Sequence, residues 1–294
     1  MKKFTVIGLL LVVSILATAC GGGSTFECAD ALGCVTYGPD DPIRIASSLV
    51  ISGPNVDLGT DSQHGIELAI EFYGPVLGHD VELQAEDDLC SAEGGQTSAQ
   101  KIVSDESIVA VVGTSCSGAG VPASKIVSEA GLSMISPSNT APSLTDPDQA
   151  WNPGYLRTAH NDKVRGRAMA EFALNELGVT SAAAIHDGDP YTEGLARVFA
   201  DVFVEMGGNL VAFEAVGKGD TDMHPALMAV SEAGPPEFLY YPIFIAEGAA
   251  ITTQAREVAG LEDVILAGAD GMLSPPLIEA AGTQLRACTS PGQT

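Results

Sequence analysis

The sequence is poor in positive charge: 13 lysine and arginine residues stand against 38 aspartate and glutamate residues, which gives a formal net charge of −25. Such a surface repels the phosphates of nucleic acids and the headgroups of anionic lipids. We therefore expect no nucleic-acid partner and no electrostatic adhesion to a membrane. An acidic surface does suit a soluble, exported protein.

The sequence also lacks the short motifs of metal, nucleotide and hydrolase sites. Its 5 histidines include no i, i+4 pair, and no C-x-x-C spacing occurs, so no metal site is expected. Gly113-Thr114-Ser115-Cys116-Ser117 departs from G-x-S-x-G at its last position, and Gly217-Lys218-Gly219-Asp220 has the wrong spacing for a phosphate loop. His186-Asp187 is interpreted as a strand-end cap rather than a base with its orienting group. We expect no cofactor, and an exported hydrolase ranks third among the hypotheses.

Long apolar runs are absent after the N-terminus. Lys2 and Lys3 precede an apolar run at residues 6–17, which is too short to span a bilayer and is typical of a signal peptide, assigned to residues 1–19. Two processing routes remain open: cleavage after Ala17-Thr18-Ala19, or lipidation of Cys20, which the following Gly/Ser stretch favours. Residues 20–41 would then be a lipid-anchor tether with a small Cys loop. Either route predicts export to the periplasm or cell surface, and lipidation of Cys20 would make a lipid anchor the only membrane contact.

Export makes disulfides the expected state of the remaining cysteines. Cys28 and Cys34 are close enough to close a small loop, and Cys90 and Cys116 form a second candidate pair. Cys288 is left over.

Short apolar strands alternate with amphipathic helices from residue 43 onward. Residues 43–50, 81–84, 108–112 and 132–135 are predicted strands, and the rhythm restarts after a Pro-rich passage with strands at 181–185, 209–215, 238–241 and 264–267. Two consecutive βαβ series predict an α/β fold with two parallel, helix-covered sheets. We assign residues 42–158 to an N-terminal lobe and residues 159–294 to a C-terminal lobe.

Ligands of open parallel sheets bind at the carboxyl ends of the strands. The loops there are rich in small and hydroxyl residues after residues 112 and 135, and backbone N–H groups and hydroxyls of this kind suit a carboxylate. Asp270, after the strand at 264–267, offers a charge for an ammonium group. Asp87-Asp88 and the turn of Asp187 and Asp189 are expected to be solvated.

The order and spacing of these motifs resemble the branched-chain amino acid-binding proteins of ABC importers, over about residues 43–275. The matching motifs are Asp87-Asp88-Leu89-Cys90, Val111-Val112-Gly113, Cys116-Ser117, Pro122-Ala123-Ser124, Pro137-Ser138-Asn139-Thr140-Ala141-Pro142, His186-Asp187 with Tyr191, Glu193-Gly194-Leu195-Ala196, Tyr240-Tyr241 and Gln254-Ala255-Arg256. The resemblance implies a two-lobed periplasmic binding protein type 1 fold, called a Venus flytrap. It also implies no catalytic activity, an amino acid as ligand and ABC permease subunits as partners. A ligand-sensing module for amino acids or amides is the runner-up.

The resemblance implies roles for five polar site residues. Ser117 and Thr140 match positions whose hydroxyl and N–H groups hold the ligand α-carboxylate. Ser138 matches a position that offers its backbone carbonyl to the α-ammonium group. Tyr191 matches a tyrosine that caps the ligand from the second lobe. Asp270 matches the ammonium partner, which is usually Glu in the family.

Two apolar residues and one disulfide follow from the same resemblance. Leu58 and Phe244 match positions that line the side-chain pocket, which leaves an aliphatic ligand plausible. The family joins the positions of Cys90 and Cys116 by a disulfide. The family sequence also continues beyond the point where the match is lost, near residue 286, so we expect the second lobe to be incomplete.

Overall fold

A computed structural model describes residues 27–30 and 32–282. The predicted signal peptide, Cys20 and Cys288 lie outside the described residues. The chain divides after Cys34 into two compact units. In the first unit, Cys28 and Cys34 form the expected disulfide. Across the described parts of the chain, the structure contains no helix with the length and apolar character needed to cross a membrane.

The first sheet of the second unit has five parallel strands in the order β2-β1-β3-β4-β5. The strands are β1 (Ile43–Leu49), β2 (Val81–Asp87), β3 (Ile108–Gly113), β4 (Ser133–Ser136) and β5 (Tyr155–Arg157). The helices between them are α1 (Val56–Tyr73), α2 (Ala92–Val103) and α3 (Ser117–Glu129).

The second sheet has four parallel strands in the order β7-β6-β8-β9. Helix α4 (Asp162–Glu171) leads into it and continues as a π-helical turn, Phe172–Glu176. The strands are β6 (Ser181–His186), β7 (Asn209–Ala215), β8 (Phe238–Tyr240) and β9 (Ile265–Ala267). The remaining helices are α5 (Pro190–Glu205), α6 (His224–Ala233), α7 (Ile245–Gln254) and α8 (Pro275–Ala281). The expected fold class, two parallel sheets covered by helices, is confirmed.

Polar residues cap the N-termini of helices α2, α4 and α5. The side chains of Ser91, Asn161 and Asp189 accept hydrogen bonds from the first turns of α2, α4 and α5. Such caps satisfy N–H groups that have no partner within the helix. Strand β5 was not predicted, because it lies in the Pro-rich passage and has only three residues.

The central strands β6 and β8 of the second sheet are buried on both faces, whereas Ile135 of β4 and Leu156 of β5 are exposed on the first sheet. Met134 and Val111 lie in the core of the first sheet, while Phe199 packs against Phe203 and Tyr240 on the second. Because all strands of a sheet run in one direction, the loops that follow them gather at one edge of that sheet. The predicted site residues lie in these loops or at the helix starts that follow them.

Candidate functional site

A cavity of about 180 Å³ lies between residues that follow the strands of both sheets. All seven residues assigned to ligand binding lie on its wall: Leu58, Ser117, Ser138, Thr140, Tyr191, Phe244 and Asp270. Ser115, Cys116, Gly271 and Leu273 complete the lining. The structure thus brings together residues that are more than 200 positions apart in the chain.

A larger groove of about 630 Å³ runs beside β9, the edge strand of the second sheet. It is lined by side chains of β9 and of neighbouring helical segments, including Leu266, Met169 and Phe172. The smaller cavity is the better candidate, because polar groups from the strand-end loops of both sheets converge on it.

The first wall of the cavity joins the loops that follow β3 and β4. The Ser117 hydroxyl oxygen accepts hydrogen bonds from the backbone N–H groups of Thr140 at 3.3 Å and Ala141 at 3.2 Å. Helix α3 begins at Ser117, so the first N–H groups of this helix have no partner within it. Hydroxyl and N–H donors at a helix start are suited to bind an anionic group.

Asp88 stabilises this wall through hydrogen bonds to its backbone. Its carboxylate accepts the backbone N–H of Cys90 at 2.7 Å and that of Ser115 at 2.9 Å, and the side chain is fully buried. Burial raises the pKa of Asp88 to about 6 against the effect of these hydrogen bonds. The expectation of a solvated strand end was therefore wrong for Asp88, because the β3 loop covers it. The predicted Cys90–Cys116 disulfide forms in the same place.

Asn139 anchors the second loop of this wall through a buried network that the sequence did not reveal. Its amide donates to the Thr114 carbonyl at 2.9 Å, and its Oδ1 accepts from the Tyr155 hydroxyl at 3.0 Å. The Ser138 hydroxyl donates to the Ser115 carbonyl at 2.8 Å. The Ser138 side chain is thus engaged within the wall, and its proposed role remains with its backbone carbonyl.

The second wall is built around Tyr191, the second residue of α5. Its ring packs against Phe244 with centroids 5.5 Å apart, and its hydroxyl donates to Asp270 Oδ1 at 2.8 Å. The same hydroxyl accepts the backbone N–H of Gly271 at 3.2 Å. Burial, reinforced by the charge of Asp270, raises the pKa of Tyr191 well above its usual value, so the phenol stays neutral.

Asp270 does not stand alone, because Arg165 of α4 binds both of its carboxylate oxygens. The Nη2–Oδ2 distance is 2.5 Å, and Nη1 is hydrogen-bonded to Oδ1. Burial acts to raise the pKa of Asp270, but the Arg165 guanidinium overrides it and holds this pKa below the usual value. Nothing in the local sequence pattern distinguished Arg165 as a site residue.

Asp162 is a second carboxylate near Arg165, and it is fully buried. Its Oδ1 is 3.9 Å from Arg165 Nη1 and 4.0 Å from His160 Nε2, and neither carboxylate oxygen has a hydrogen bond of normal geometry within the described residues. Burial raises the pKa of Asp162 to about 6, against the lowering effects of the Thr140 hydroxyl and the two nearby arginines, Arg165 and Arg157. Nη1 of Arg165 therefore lies near two carboxylates, those of Asp162 and Asp270.

The turn that carries Asp187 and Asp189 is less exposed than expected. Asp189 is 8% exposed, its Oδ2 is 3.4 Å from Lys218 Nζ, and burial raises its pKa. A Cβ at Gly118 would lie 2.2 Å from that oxygen, so only glycine fits at this start of α3. Lys218 also donates to the Cys90 carbonyl at 2.7 Å, and these contacts join the two sides of the cavity.

Comparison with known proteins gives curated relatives of one kind. The chain is 32% identical over 248 residues to the Leu/Ile/Val-binding protein of Escherichia coli strain K12, a match that covers 82% of this chain and 65% of that protein. It is 33% identical, with the same coverage, to the Leu/Ile/Val/Thr-binding protein of Salmonella typhimurium. The chain therefore spans about 65% of the length of these relatives.

Solved structures agree with these relatives. The leucine binding protein LivK of Thermotoga maritima superimposes with a TM-score of 0.76 at 27% identity, covering 83% of this chain and 68% of that one. The branched-chain amino acid transporter substrate binding protein LivJ of Streptococcus pneumoniae, in complex with isoleucine, gives a TM-score of 0.71 at 25% identity, covering 82% and 68%. The periplasmic binding protein family model matches residues 42–290. The chain belongs to the periplasmic binding protein family.

Proposed function

We propose that this protein is an extracytoplasmic solute-binding protein that captures an amino acid, with an aliphatic side chain, for an ABC importer. The observation that carries the proposal is the chemistry of the single cavity that the seven predicted residues share. One wall presents the Ser117 hydroxyl and the first N–H groups of α3 for a carboxylate, beside Thr140. The opposite wall presents the Asp270 carboxylate for an ammonium group, next to the Tyr191 hydroxyl.

The remaining lining favours an apolar side chain. Leu58, Phe244 and Leu273 lie on the cavity wall, and a volume of about 180 Å³ suits a small molecule rather than a peptide. A site built mainly from apolar groups with a few convergent polar groups is typical of small-ligand binding. No group in the cavity is arranged as an activated nucleophile, and we propose binding without catalysis.

Titration calorimetry with a panel of amino acids, amides, sugars and esters tests this proposal. We expect leucine, isoleucine or valine to bind with a stoichiometry of one, and we expect no ester turnover. Failure of the folded protein to bind any amino acid would exclude the proposed function. Ester hydrolysis would favour the hydrolase hypothesis.

The Asp270→Asn variant tests the ammonium anchor separately. It removes the charge and keeps the shape, so affinity for amino acids should fall by about 1–3 kcal/mol, less than for a fully buried pair because the Asp270 side chain is 52% exposed. The matched control is Asp201→Asn, the same charge change at an exposed position of α5. Equal affinity in Asp270→Asn and in the control would refute the anchor role.

We also propose that Cys20 is lipidated after export and that the protein delivers its ligand to permease subunits of the importer. Labelled fatty acid should be incorporated into the full chain and lost in Cys20→Ala. Cells that lack the protein should lose uptake of the amino acid bound in vitro. Unchanged uptake would instead favour the ligand-sensing hypothesis.

A further inference from the structure

The Asp270 carboxylate already has a counter-ion. A carboxylate offers about four lone-pair positions. Arg165 occupies one on each oxygen and Tyr191 occupies another on Oδ1. An incoming ammonium group therefore finds one position on Oδ2, next to a guanidinium that stays charged at any accessible pH.

Arg165 has no other strong partner in the described residues. The next carboxylate, that of Asp162, has its Oδ1 at 3.9 Å from Arg165 Nη1. The Arg165 side chain is 21% exposed. The bidentate geometry is the one in which guanidinium and carboxylate bind most strongly. The pair is therefore a fixed part of the second wall.

We infer that Arg165 determines ligand selectivity, because its pairing with Asp270 lets the cavity accept apolar monocarboxylates that lack an α-ammonium group, in addition to amino acids. This inference rests on the proposed function, since it concerns the same cavity. The carboxylate of either ligand class would meet the donors around Ser117, and the aliphatic chain would meet Leu58 and Phe244. The two ligand classes would differ only in whether they place an ammonium group beside Asp270.

The selectivity follows from the charge that remains after binding. In a wall with a bare carboxylate, a ligand without an ammonium group would leave that charge unpaired in the closed cavity, which is costly. Arg165 removes this penalty. It also weakens the attraction for an ammonium group, because it places a second cation beside Asp270. Both effects narrow the difference between the two ligand classes.

Calorimetry with matched ligand pairs tests this inference on the full chain at pH 7.5. Leucine is compared with 4-methylpentanoate, and valine with 3-methylbutanoate, since each pair differs only in the amino group. We expect the wild-type protein to bind both members of a pair, with affinities within about tenfold of each other. In Arg165→Gln, the ratio of amino acid to deaminated acid affinity should rise at least about tenfold, because Asp270 then lacks its partner.

Two further variants separate charge from structure. Arg165→Lys keeps the cation and should keep the ratio near the wild-type value. Asp270→Asn should lower the ratio, because the freed Arg165 favours an anion without an ammonium group. If Arg165→Gln does not fold, the binding of the deaminated acids by the wild-type protein and the unchanged ratio expected for Arg165→Lys still test the inference.

The outcomes distinguish this inference from the proposed function. Amino acid binding with the same ratio in wild type and Arg165→Gln overturns the inference and leaves the proposed function intact. The same holds if wild type binds amino acids but not their deaminated analogues. Absence of binding to either class by the folded wild-type protein overturns both.

Discussion

Asp162 is expected to destabilise the protein at neutral pH, and its replacement by Asn should reveal this. The side chain is fully buried at the first position of α4, and its carboxylate oxygens have no hydrogen bond of normal geometry within the described residues. The ion pair with Arg165 at 3.9 Å is too long to offset the loss of hydration completely. Asn at this position has nearly the same shape and no charge.

The pKa of Asp162 gives the size and the sign of the effect. The pKa of an unperturbed aspartate is 3.8, and that of Asp162 in the folded protein is about 6. Because the folded state holds this proton more tightly, the associated stability is present at low pH and is lost as pH rises through about 6. A difference of about two pKa units at about 1.4 kcal/mol each corresponds to a loss of about 3 kcal/mol in the free energy of unfolding at pH values above about 6.

Asp162→Asn should therefore unfold at higher urea concentration than wild type at pH 8. A buried amide keeps part of its own desolvation cost, so we expect a gain of about 1–3 kcal/mol in the free energy of unfolding. At pH 5 the gain should shrink to about half, because the wild-type carboxyl is then largely protonated in the folded state. Urea unfolding followed by circular dichroism at pH 5 and pH 8 measures both values.

Asp88→Asn is the matched control, since the pKa of Asp88 is also raised to about 6. Its carboxylate accepts two backbone N–H groups, so an amide with one acceptor oxygen loses a hydrogen bond and should destabilise the protein. A variant Asp162→Asn that is less stable than wild type at pH 8 would refute the reasoning. A gain of equal size at both pH values would do the same, because it would not depend on ionisation.

Two further predictions concern the first wall of the cavity. Opening the Cys90–Cys116 disulfide, which spans 26 residues, should lower the free energy of unfolding by about 3–4 kcal/mol, measured by denaturant unfolding of Cys90→Ser/Cys116→Ser. Opening the Cys28–Cys34 disulfide, which spans 6 residues, should lower it by less. Two free thiols at Cys90 and Cys116 in the native protein would contradict the pairing. Ser117→Ala removes the hydroxyl donor that we assign to the ligand carboxylate, so affinity for an amino acid should fall by about 1–2 kcal/mol in calorimetry. An unchanged affinity would exclude the Ser117 side chain from carboxylate binding.

Local sequence patterns predicted most of the strands of the fold. Strand β7 matches its predicted bounds, residues 209–215, and the other long strands match to within about three residues, because short apolar runs bounded by turns are strong local signals. The errors fall where local signals are weak. Strand β5 was missed because it has only three residues and lies in a Pro-rich passage. The lobe boundaries remain a prediction.

The sequence by itself indicated which residues surround the cavity through its resemblance to the branched-chain amino acid-binding proteins, whose matching motifs lie in the loops that follow parallel strands. Only the tertiary structure decided their electrostatic state. Arg165 and Asp270 are 105 positions apart, and the burial of Asp88 and Asp162 depends on segments that cover them from elsewhere in the chain. Charge pairing and desolvation depend on distances in space, and no local window of sequence contains those distances.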